Sequence, residues 1–506
     1  MDYISTRGDS QHYSAAQAIC MGLAPDGGLF VPETIPELDR DTQLSLVGKP
    51  YPEQAAAVMS YFLTDFSRQE LDDICQQAYS EDRFANPLIA PVEQLNEYNG
   101  REFMLELWHG PTAAFKDMAL QLLPHLMRLS ADKTGLDKEI CILTATSGDT
   151  GKAALEGFKD VPGTRVMTIY PKGGVARAQE LQMLTTGGAN TAVVALEGSF
   201  DDAQRSVKQL FQDAAFNQEL NAAGKILTSA NSINWGRLLP QIAYYWSAYF
   251  QLLEREKIAE GEKLNFVVPT GNFGNILAAW YAMQMGLPVY RLVCASNQNN
   301  VLSDFLRSGS YNRNRHFYKT VTPSMDILVS SNLERLLFEL TGHQGDLIAG
   351  LMKQLNESGQ YEVDQSLRRR LQEIFVGGFT NDRGTRRSIL EVYDTTDHVI
   401  DPHTAVGFNV YSRYQKRSRD QHVTVFVSTA SPFKFAGTVC QALFNNRAEA
   451  QDDLKLLPLL AQESGLVIPE GLAGLETAEI RHHELCSQAA LPETVSRLLL
   501  HPETEA

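Results

Sequence analysis

The chain has 506 residues, of which 43% are hydrophobic and 21% charged, and its formal net charge at pH 7 is −17. This length predicts about three domain-sized units, and the composition is not that of a collagen-like, coiled-coil or disordered protein. A chain this acidic, without a long run of lysine and arginine, argues against nucleic acid as a partner, because a phosphate backbone is bound by a basic surface.

The cysteines and the apolar segments indicate in which cellular compartment we expect the protein. The six cysteines show no paired spacing, so we expect neither a disulfide framework nor a metal site, but reduced thiols in the cytoplasm. The N-terminus lacks the apolar core of a signal peptide. The most apolar predicted helix, residues 238–253, is interrupted by Pro240, Gln241, Ser247 and Gln251. We therefore expect no membrane partner.

Residues 1–95 predict a separate, mainly helical N-terminal domain. The pattern predicts a helix over 15–21, a turn at Pro25-Asp26-Gly27-Gly28 and a short strand over 29–31 that ends before Pro32.

From residue 103 onward, predicted strands and helices alternate, which is typical of parallel sheets with helical crossovers. Helices are predicted from about Lys116, from Thr150 and from Leu491. The predicted strands cover residues 103–107, 140–144, 165–170, 190–196, 265–268, 289–295 and 423–428. At least two open α/β layers are required. Residues 357–401 are more charged and irregular, and we assign their arginines no chemistry.

Lys116 is the first candidate for chemistry. It follows a Gly-Pro turn and the apolar residues Ala113, Ala114 and Phe115, which predicts partial desolvation, and desolvation makes a lysine amine nucleophilic. The alternative is an ordinary surface lysine on a helix whose first turn is capped by Thr112.

A second candidate is the turn after the predicted strand 265–268. It leads into an amphipathic helix and consists of Gly271, Asn272, Phe273, Gly274 and Asn275. Backbone amides at such a helix start can converge on a phosphate group. The spacing is not Gly-x-Gly-x-x-Gly, so a dinucleotide fingerprint is missing. The alternative is a plain turn capped by Asn272.

Two further turns follow predicted strands. Residues 144–154 contain hydroxyls and glycines, but Thr146 and Ala153 occupy positions where a nucleotide-binding P-loop needs glycine and a hydroxyl residue. An NTPase is therefore disfavoured, and the alternative is a polar helix cap. The strand 423–428 ends in Ser428-Thr429, a hydroxyl pair that can bond a heteroaromatic nitrogen or simply form a turn.

Together these turns resemble the threonine synthase family, in its longer bacterial and fungal type. The matching segments are residues 3–8, 22–29, 107–117, 229–237, 324–335, 401–407 and 429–432. The resemblance implies a pyridoxal 5′-phosphate enzyme of fold type II, with the cofactor between two open α/β domains. It also implies a division into an N-terminal domain (1–95), a large cofactor-binding domain (96–125 and 240–506) and a small domain (126–239).

The resemblance also implies roles for single residues. Lys116 would be the Schiff-base lysine, the residues 271–275 would hold the cofactor phosphate, Thr429 would meet the pyridine nitrogen, and Asp149 stands where related enzymes place Asn near the ring oxygen. Ser147 and Thr150 would bind the substrate carboxylate, and the substrate phosphate would be bound by Asn231, Ser232 and Arg237. Asn234 either supports that phosphate group or belongs to the turn before the next helix.

The implied reaction converts O-phospho-L-homoserine and water to L-threonine and phosphate. The alternatives are a phospholyase of the same fold that yields 2-oxobutanoate, and a non-catalytic relative that only binds. One departure from the family pattern is Ala176, where relatives usually carry serine. The neighbouring Arg177 either replaces the lost contact or faces solvent. We expect a monomer or a homodimer.

Overall fold

Two open parallel sheets form the framework of the protein, as seen in a computed structural model that describes residues 1–95, 100–146, 148–444 and 452–500. The strands are β1 Tyr3–Ser5, β2 Phe30–Pro32, β3 Val92–Gln94, β4 Glu102–Glu106, β5 Glu139–Ala145, β6 Thr164–Pro171, β7 Thr191–Glu197, β8 Lys225–Thr228, β9 Leu264–Pro269, β10 Val289–Ser296, β11 Ser310–Asn312, β12 Gln360–Glu362, β13 Phe375–Phe379, β14 Val423–Ser428 and β15 Glu484–Ser487.

Helices surround both sheets. They are α1 Ala15–Met21, α2 Arg40–Leu46, α3 Tyr51–Ser60, α4 Arg68–Ala78, α5 Asp117–Leu120, α6 Leu123–Thr134, α7 Asp149–Phe158, α8 Arg177–Leu184, α9 Phe200–Gln212, α10 Ala214–Ala222, α11 Trp235–Leu238, α12 Pro240–Glu254, α13 Gly274–Gln284, α14 Val301–Ser308, α15 Leu333–Leu340, α16 Gly345–Ser358, α17 Gln365–Ile374, α18 Asp382–Thr396, α19 Pro402–Ser418, α20 Ala436–Phe444, α21 Asp453–Ser464 and α22 Leu491–Leu500.

The large sheet has the strand order β13-β10-β9-β14-β4-β3, and the small sheet has the order β15-β7-β6-β5-β8. All pairs are parallel except β3 with β4. Parallel strands buried on both faces need continuous apolar runs, and β14 and β9 are buried along their whole length. The predicted α/β class with two open sheets is confirmed.

The N-terminal part is mainly helical, as predicted, and packs on the rest of the chain. Helix α1 begins with a capping box between Ser14 and Gln17 and ends at Gly22 in the left-handed conformation. Trp235, in α11, meets the rings of Tyr3 at 5.5 Å and Phe62 at 5.7 Å. These edge contacts fix the N-terminal helices against the segment that contains residues 229–237.

Residues 357–401, predicted to be irregular, contain an ordered edge strand of the large sheet. Strand β13 pairs with β10 in parallel register, from Leu292 opposite Phe375 to Ser296 opposite Phe379. A Cβ on Gly378 would lie 2.5 Å from Cγ1 of Val410, so the close approach of α19 requires glycine there. The sequence pattern did not predict this strand because it contains Gly377 and Gly378, and glycine weakens a strand pattern.

Two strands of the small sheet were not predicted. Strand β8 lies beside β5, and β15 pairs with β7 from Glu484 opposite Val194 to Ser487 opposite Glu197. The division that assigned all of 240–506 to the large domain is wrong for β15, which returns from the C-terminal region to cover the edge of the small sheet. Covering an exposed edge satisfies its backbone groups, and this pairing is too distant in sequence for a local pattern to reveal.

In the described part of the chain, no helix is both long enough and apolar enough to cross a membrane. The apolar helix predicted over 238–253 is α12, and its residues from Pro240 to Leu252 are buried inside the protein.

Candidate active site

The segment that contains Lys116 is fixed against the turn after β14. The amide of Phe115 donates to the carbonyl of Thr429 at 2.8 Å, and the amide of Ser431 donates to the carbonyl of Ala113 at 3.0 Å. Ala114 and Ala430 form an isolated antiparallel bridge between these hydrogen bonds. Lys116 and Thr429, predicted from separate turns, are therefore neighbours.

Lys116 does not point into solvent. Its side chain is 12% exposed, and Nζ lies 3.3 Å from Oδ2 of Asp149. Burial lowers the pKa of Lys116 below the ordinary lysine value, the charges of Arg237 and Lys434 act in the same direction, and Asp149 opposes them. The alternative of a surface lysine on a helix capped by Thr112 is wrong, because the Lys116 side chain is buried and Thr112 bonds the Asp117 carboxylate.

Asp149, at the start of α7, is the meeting point of the site. Its Oδ1 accepts from Lys434 at 2.7 Å and from Gln179 at 2.8 Å, and its Oδ2 accepts from Ser324 at 2.9 Å. Burial alone would raise the pKa of Asp149, but the charges of Lys116 and Lys434 hold it well below its usual value. The carboxylate is thus ionised and saturated with donors.

Residues 271–275 cover the turn after β9 and the first two residues of α13, and their backbone amides are free donors. Phe273 takes the left-handed conformation, with φ 64°, and no side chain caps the helix that follows. The amides of residues 271–276 donate to no other described residue. Because the first amides of a helix have no intrahelical partner, this loop offers several donors to an anion.

Asn275 adds an oriented side-chain donor to this loop. Its Oδ1 accepts from the hydroxyls of Tyr244 and Tyr245, each at 2.6 Å. Its Nδ2 is buried and has no partner in the described structure. An orphaned donor of this kind costs free energy unless a ligand satisfies it, and a phosphate oxygen is a suitable acceptor.

A short segment behind the loop fixes its carbonyls. Ser330 Oγ donates to the carbonyl of Gly271 at 2.9 Å, and the amide of Asn332 donates to the carbonyl of Asn272 at 3.2 Å. A Cβ on Gly271 would lie 2.9 Å from the carbonyl oxygen of Ser324. Since Ser324 also bonds Asp149, this segment joins residues 271–275 to the site of Lys116.

The turn after β5 is not a nucleotide-binding loop. Thr146 Oγ1 accepts from the amides of Gly148 at 3.0 Å and Gly151 at 2.9 Å, so these amides are already used. Thr150, in the first turn of α7, is half-buried. Ser147 lies outside the described residues.

Arg237 is a buried cation without a carboxylate partner among the described residues. It is 5% exposed, and its Nη1 donates to the carbonyl of Ala230 at 2.7 Å. Burial lowers the pKa of Arg237 to about 10. Asn231 and Ser232 precede it in a half-buried turn. An uncompensated buried guanidinium is costly, which suits a site that receives an anion.

Asn234 serves the turn. It caps α11 through Oδ1, which accepts from the amide of Gly236 at 2.8 Å, and its Nδ2 donates to the carbonyl of Ile19 at 3.0 Å. Arg335, fully buried in α15, donates through Nη2 to the carbonyl of Ile233 at 2.6 Å and also binds Asn332. Arg335 therefore connects the turn at 231–234 with Asn332, which also bonds the loop at 271–275.

Arg177 faces solvent. Its side chain is 54% exposed and pairs with Glu180 at 3.0 Å, while Ala176 is the cap residue of α8 without a side-chain hydrogen bond. Sequence reasoning missed Gln179, Ser324 and Lys434, all of which contact Asp149. Ser324 lies in the matching segment 324–335, Gln179 follows Ala176 by three residues, and Lys434 follows the segment 429–432 by two.

Comparison with known proteins agrees with this geometry. Family descriptions match in chain order: "Threonine synthase N terminus" over residues 2–79, "Pyridoxal-phosphate dependent enzyme" over 84–354 and "Threonine synthase, C-terminal" over 404–495. A threonine synthase from Pseudomonas aeruginosa is 40% identical over 87% of this chain and 90% of its own length. The chain belongs to the threonine synthase family.

The similarity to a solved structure of the family covers the whole chain. The pyridoxal-phosphate-bound threonine synthase from Brucella melitensis covers 100% of both chains with a TM-score of 0.87 and 33% identity. The predicted resemblance to the threonine synthase family and to the enzymes of fold type II is confirmed.

The family also contains longer relatives. A "Threonine synthase-like 1" protein from Macaca fascicularis is 41% identical over 85% of this chain, and the chain spans 58% of that relative's length. The family thus includes proteins whose names do not state the same activity.

Proposed function

We propose that this chain is a threonine synthase, which converts O-phospho-L-homoserine and water to L-threonine and phosphate. The observation that carries the proposal is the buried Lys116, 3.3 Å from Asp149, in a site that also holds the uncompensated Arg237. Lys116 provides an amine for covalent chemistry, and Arg237 provides a cation for a second anion. A non-catalytic binding relative would need neither.

The residues present fit pyridoxal 5′-phosphate. The free amides of residues 271–276 and the orphaned Nδ2 of Asn275 form a donor set for its phosphate, and Lys116 is the amine that would hold it covalently. Thr429 is the neutral hydroxyl that we assign to its ring nitrogen, and Asp149 would lie near its ring oxygen. When bound, this cofactor supplies the electron sink for carbanion chemistry.

Lys116 would carry the proton transfers. Released by the substrate amine, its Nζ takes the proton from Cα of the substrate and then moves a proton from Cβ, so that phosphate leaves from Cγ. Water then adds its hydroxyl group at Cβ, Lys116 returns one proton to Cγ and one to Cα, and the remaining proton of water leaves with the phosphate. The lowered pKa of Lys116, caused by burial and by the charges of Arg237 and Lys434, suits an amine that must act as a base near neutral pH.

Substrate recognition would fall to the small sheet and to α11. Arg237 would bind the substrate phosphate with Asn231 and Ser232, because a planar guanidinium matches two phosphate oxygens. We assign the substrate carboxylate to Ser147 and to Thr150, of which Thr150 lies in the first turn of α7. A neutral Thr429 at the ring nitrogen, unlike a carboxylate, would not keep that nitrogen protonated. This should restrain side reactions such as transamination.

Isotope labelling tests the reaction itself. In water enriched in ¹⁸O, the proposal predicts label in the hydroxyl group of threonine and none in the released phosphate, because the bond between Cγ and oxygen breaks. Label in phosphate would indicate cleavage of the bond between phosphorus and oxygen, which is ordinary phosphatase chemistry and contradicts the proposal. Unlabelled threonine would contradict the addition of water at Cβ.

A further inference from the structure

Lys434 is a second buried lysine at the site, and the proposed function gives it no role. It lies in the 3₁₀ turn Pro432–Phe435 that follows Thr429, and its side chain is 1% exposed. Its Nζ lies 2.7 Å from Oδ1 of Asp149 and donates to the carbonyl of Thr112 at 2.9 Å. An ammonium group is buried this completely only when it is paired.

The two lysines share one carboxylate unequally. Lys434 approaches Asp149 to 2.7 Å, whereas Lys116 lies at 3.3 Å. Both oxygens of Asp149 have a second donor, from Gln179 and Ser324. Lys434, the closer lysine, therefore interacts more strongly with the carboxylate. The attraction between Asp149 and a protonated Lys116 is weaker as a result.

We propose that Lys434 is a positioning residue that occupies the Asp149 carboxylate and thereby lets Lys116 lose its proton and react as a neutral amine. The proposal rests on the proposed function in one respect, since it assumes that Lys116 is the reacting group. It assigns Lys434 no contact with substrate.

The charged groups around Lys116 act on its pKa in opposite directions. Asp149 favours the charged amine, whereas Lys434 and Arg237 oppose it by repulsion. Removing Lys434 would remove its repulsion and also free Asp149 to pair with Lys116, so both effects raise the Lys116 pKa. Removing Asp149 has the opposite effect. The carboxylate of Asp117, the next residue, accepts hydrogen bonds from the amide and the hydroxyl of Thr112.

Competitive acetylation of the full-length protein, freed of cofactor, measures this property. Acetic anhydride reacts only with neutral amines, so the midpoint of the Lys116 labelling curve against pH, read by mass spectrometry, gives the Lys116 pKa. The variants to compare are Lys434→Met, Asp149→Asn and the double variant. The proposal predicts the lowest midpoint for Asp149→Asn and the highest for Lys434→Met. Wild type and the double variant should lie between them, at similar values.

The expected size is a midpoint in Lys434→Met about one pH unit above wild type, and thus Lys116 labelling about tenfold slower below both midpoints. An unchanged or lower midpoint overturns the proposal, because a lysine that only holds the Thr112 carbonyl would affect stability alone. Should Lys434→Met not fold, the charge-balanced double variant still decides: its midpoint must exceed that of Asp149→Asn, and equality overturns the proposal.

Lys152→Met is the matched control. Lys152 is also a buried lysine, paired with Glu156 at 2.7 Å and with Thr186 at 2.9 Å, and its replacement should leave the Lys116 midpoint unchanged; a shift as large as that of Lys434→Met would overturn the proposal. The labelling requires no substrate. Its result is therefore independent of which product the enzyme makes, and the two proposals can fail separately.

Discussion

Lys116 and Asp149 lie in contact, 3.3 Å apart from Nζ to Oδ2, although 33 residues of chain separate them. Lys116 follows the turn beyond β4 of the large sheet, and Asp149 begins the helix after β5 of the small sheet. Ligands of open α/β sheets bind beyond the carboxyl ends of the strands. This contact brings those ends of the two sheets together at one site.

Replacing Lys116 with alanine should abolish the visible absorbance of the bound cofactor, roughly 410 to 430 nm, together with turnover. The reason is that Lys434, the second buried lysine at the site, has its Nζ bonded to Asp149 and to the carbonyl of Thr112. The absorbance spectrum of the purified protein measures this. The variant Lys152→Ala should keep both signals. A Lys116→Ala protein that retained the band would show that another residue holds the cofactor.

Asn275 should matter mainly for cofactor affinity. Its Nδ2 is the buried orphaned donor, so Asn275→Ala should weaken pyridoxal phosphate binding about tenfold, the usual effect of losing a hydrogen bond to a charged group. Asn275→Asp should weaken it further, because a carboxylate repels the phosphate. Fluorescence titration of the cofactor-free protein gives the Kd. Equal Kd values for both variants and wild type would place the phosphate elsewhere.

Arg237→Met should separate stability from substrate use. Because Arg237 is buried without a carboxylate partner in the described chain, an apolar side chain should leave the thermal midpoint unchanged or raise it. The value of kcat/KM with O-phospho-L-homoserine should fall by about 100-fold or more, as expected when one partner of a buried charge pair is removed. Both quantities are measured on the same preparation.

The matched control for Arg237 is Arg177→Met. Arg177 is 54% exposed and pairs with Glu180 on the surface, and such pairs contribute little. It should retain kcat/KM within about twofold. If Arg177→Met lost as much as Arg237→Met, Arg177 would be the residue that replaces the missing serine at position 176, and our assignment would be wrong.

Asp117 should make stability depend on pH. Burial raises the pKa of Asp117 from 3.8 to about 6, with Thr112 and Lys434 opposing the shift. Between these values the folded protein holds a proton that the unfolded chain has released, so the stability contributed by this group is present below about pH 4 and falls as pH rises through 6. In Asp117→Asn, the thermal midpoint should depend less on pH between pH 4 and 6 than it does in wild type. A slope equal to that of wild type would contradict the shift.

Local patterns were enough to predict a partly desolvated Lys116, which the structure confirms, and to single out residues 271–275, whose backbone amides are free. Lys116 and residues 271–275 each follow a strand and precede a helix, so composition and position predict their chemistry. Strand bounds shifted by one residue, as β4 and β9 show, because helix and strand ends are weakly specified by sequence.

Long-range contacts were beyond this reasoning. Ser324 meets Asp149 across 175 residues, and strand β15 joins the small sheet from the C-terminal region. Lys434 is a different case. It stands between Phe433 and Phe435, the same apolar setting that drew attention to Lys116, and could have been proposed as a buried lysine.

The central claim is tested most directly by the products formed when the purified protein, loaded with pyridoxal phosphate, is given O-phospho-L-homoserine. We predict L-threonine and phosphate in equal amounts. Phosphate with 2-oxobutanoate and ammonia in place of threonine would identify a phospholyase that uses the same cofactor residues, and no release of phosphate would contradict both the substrate and the reaction.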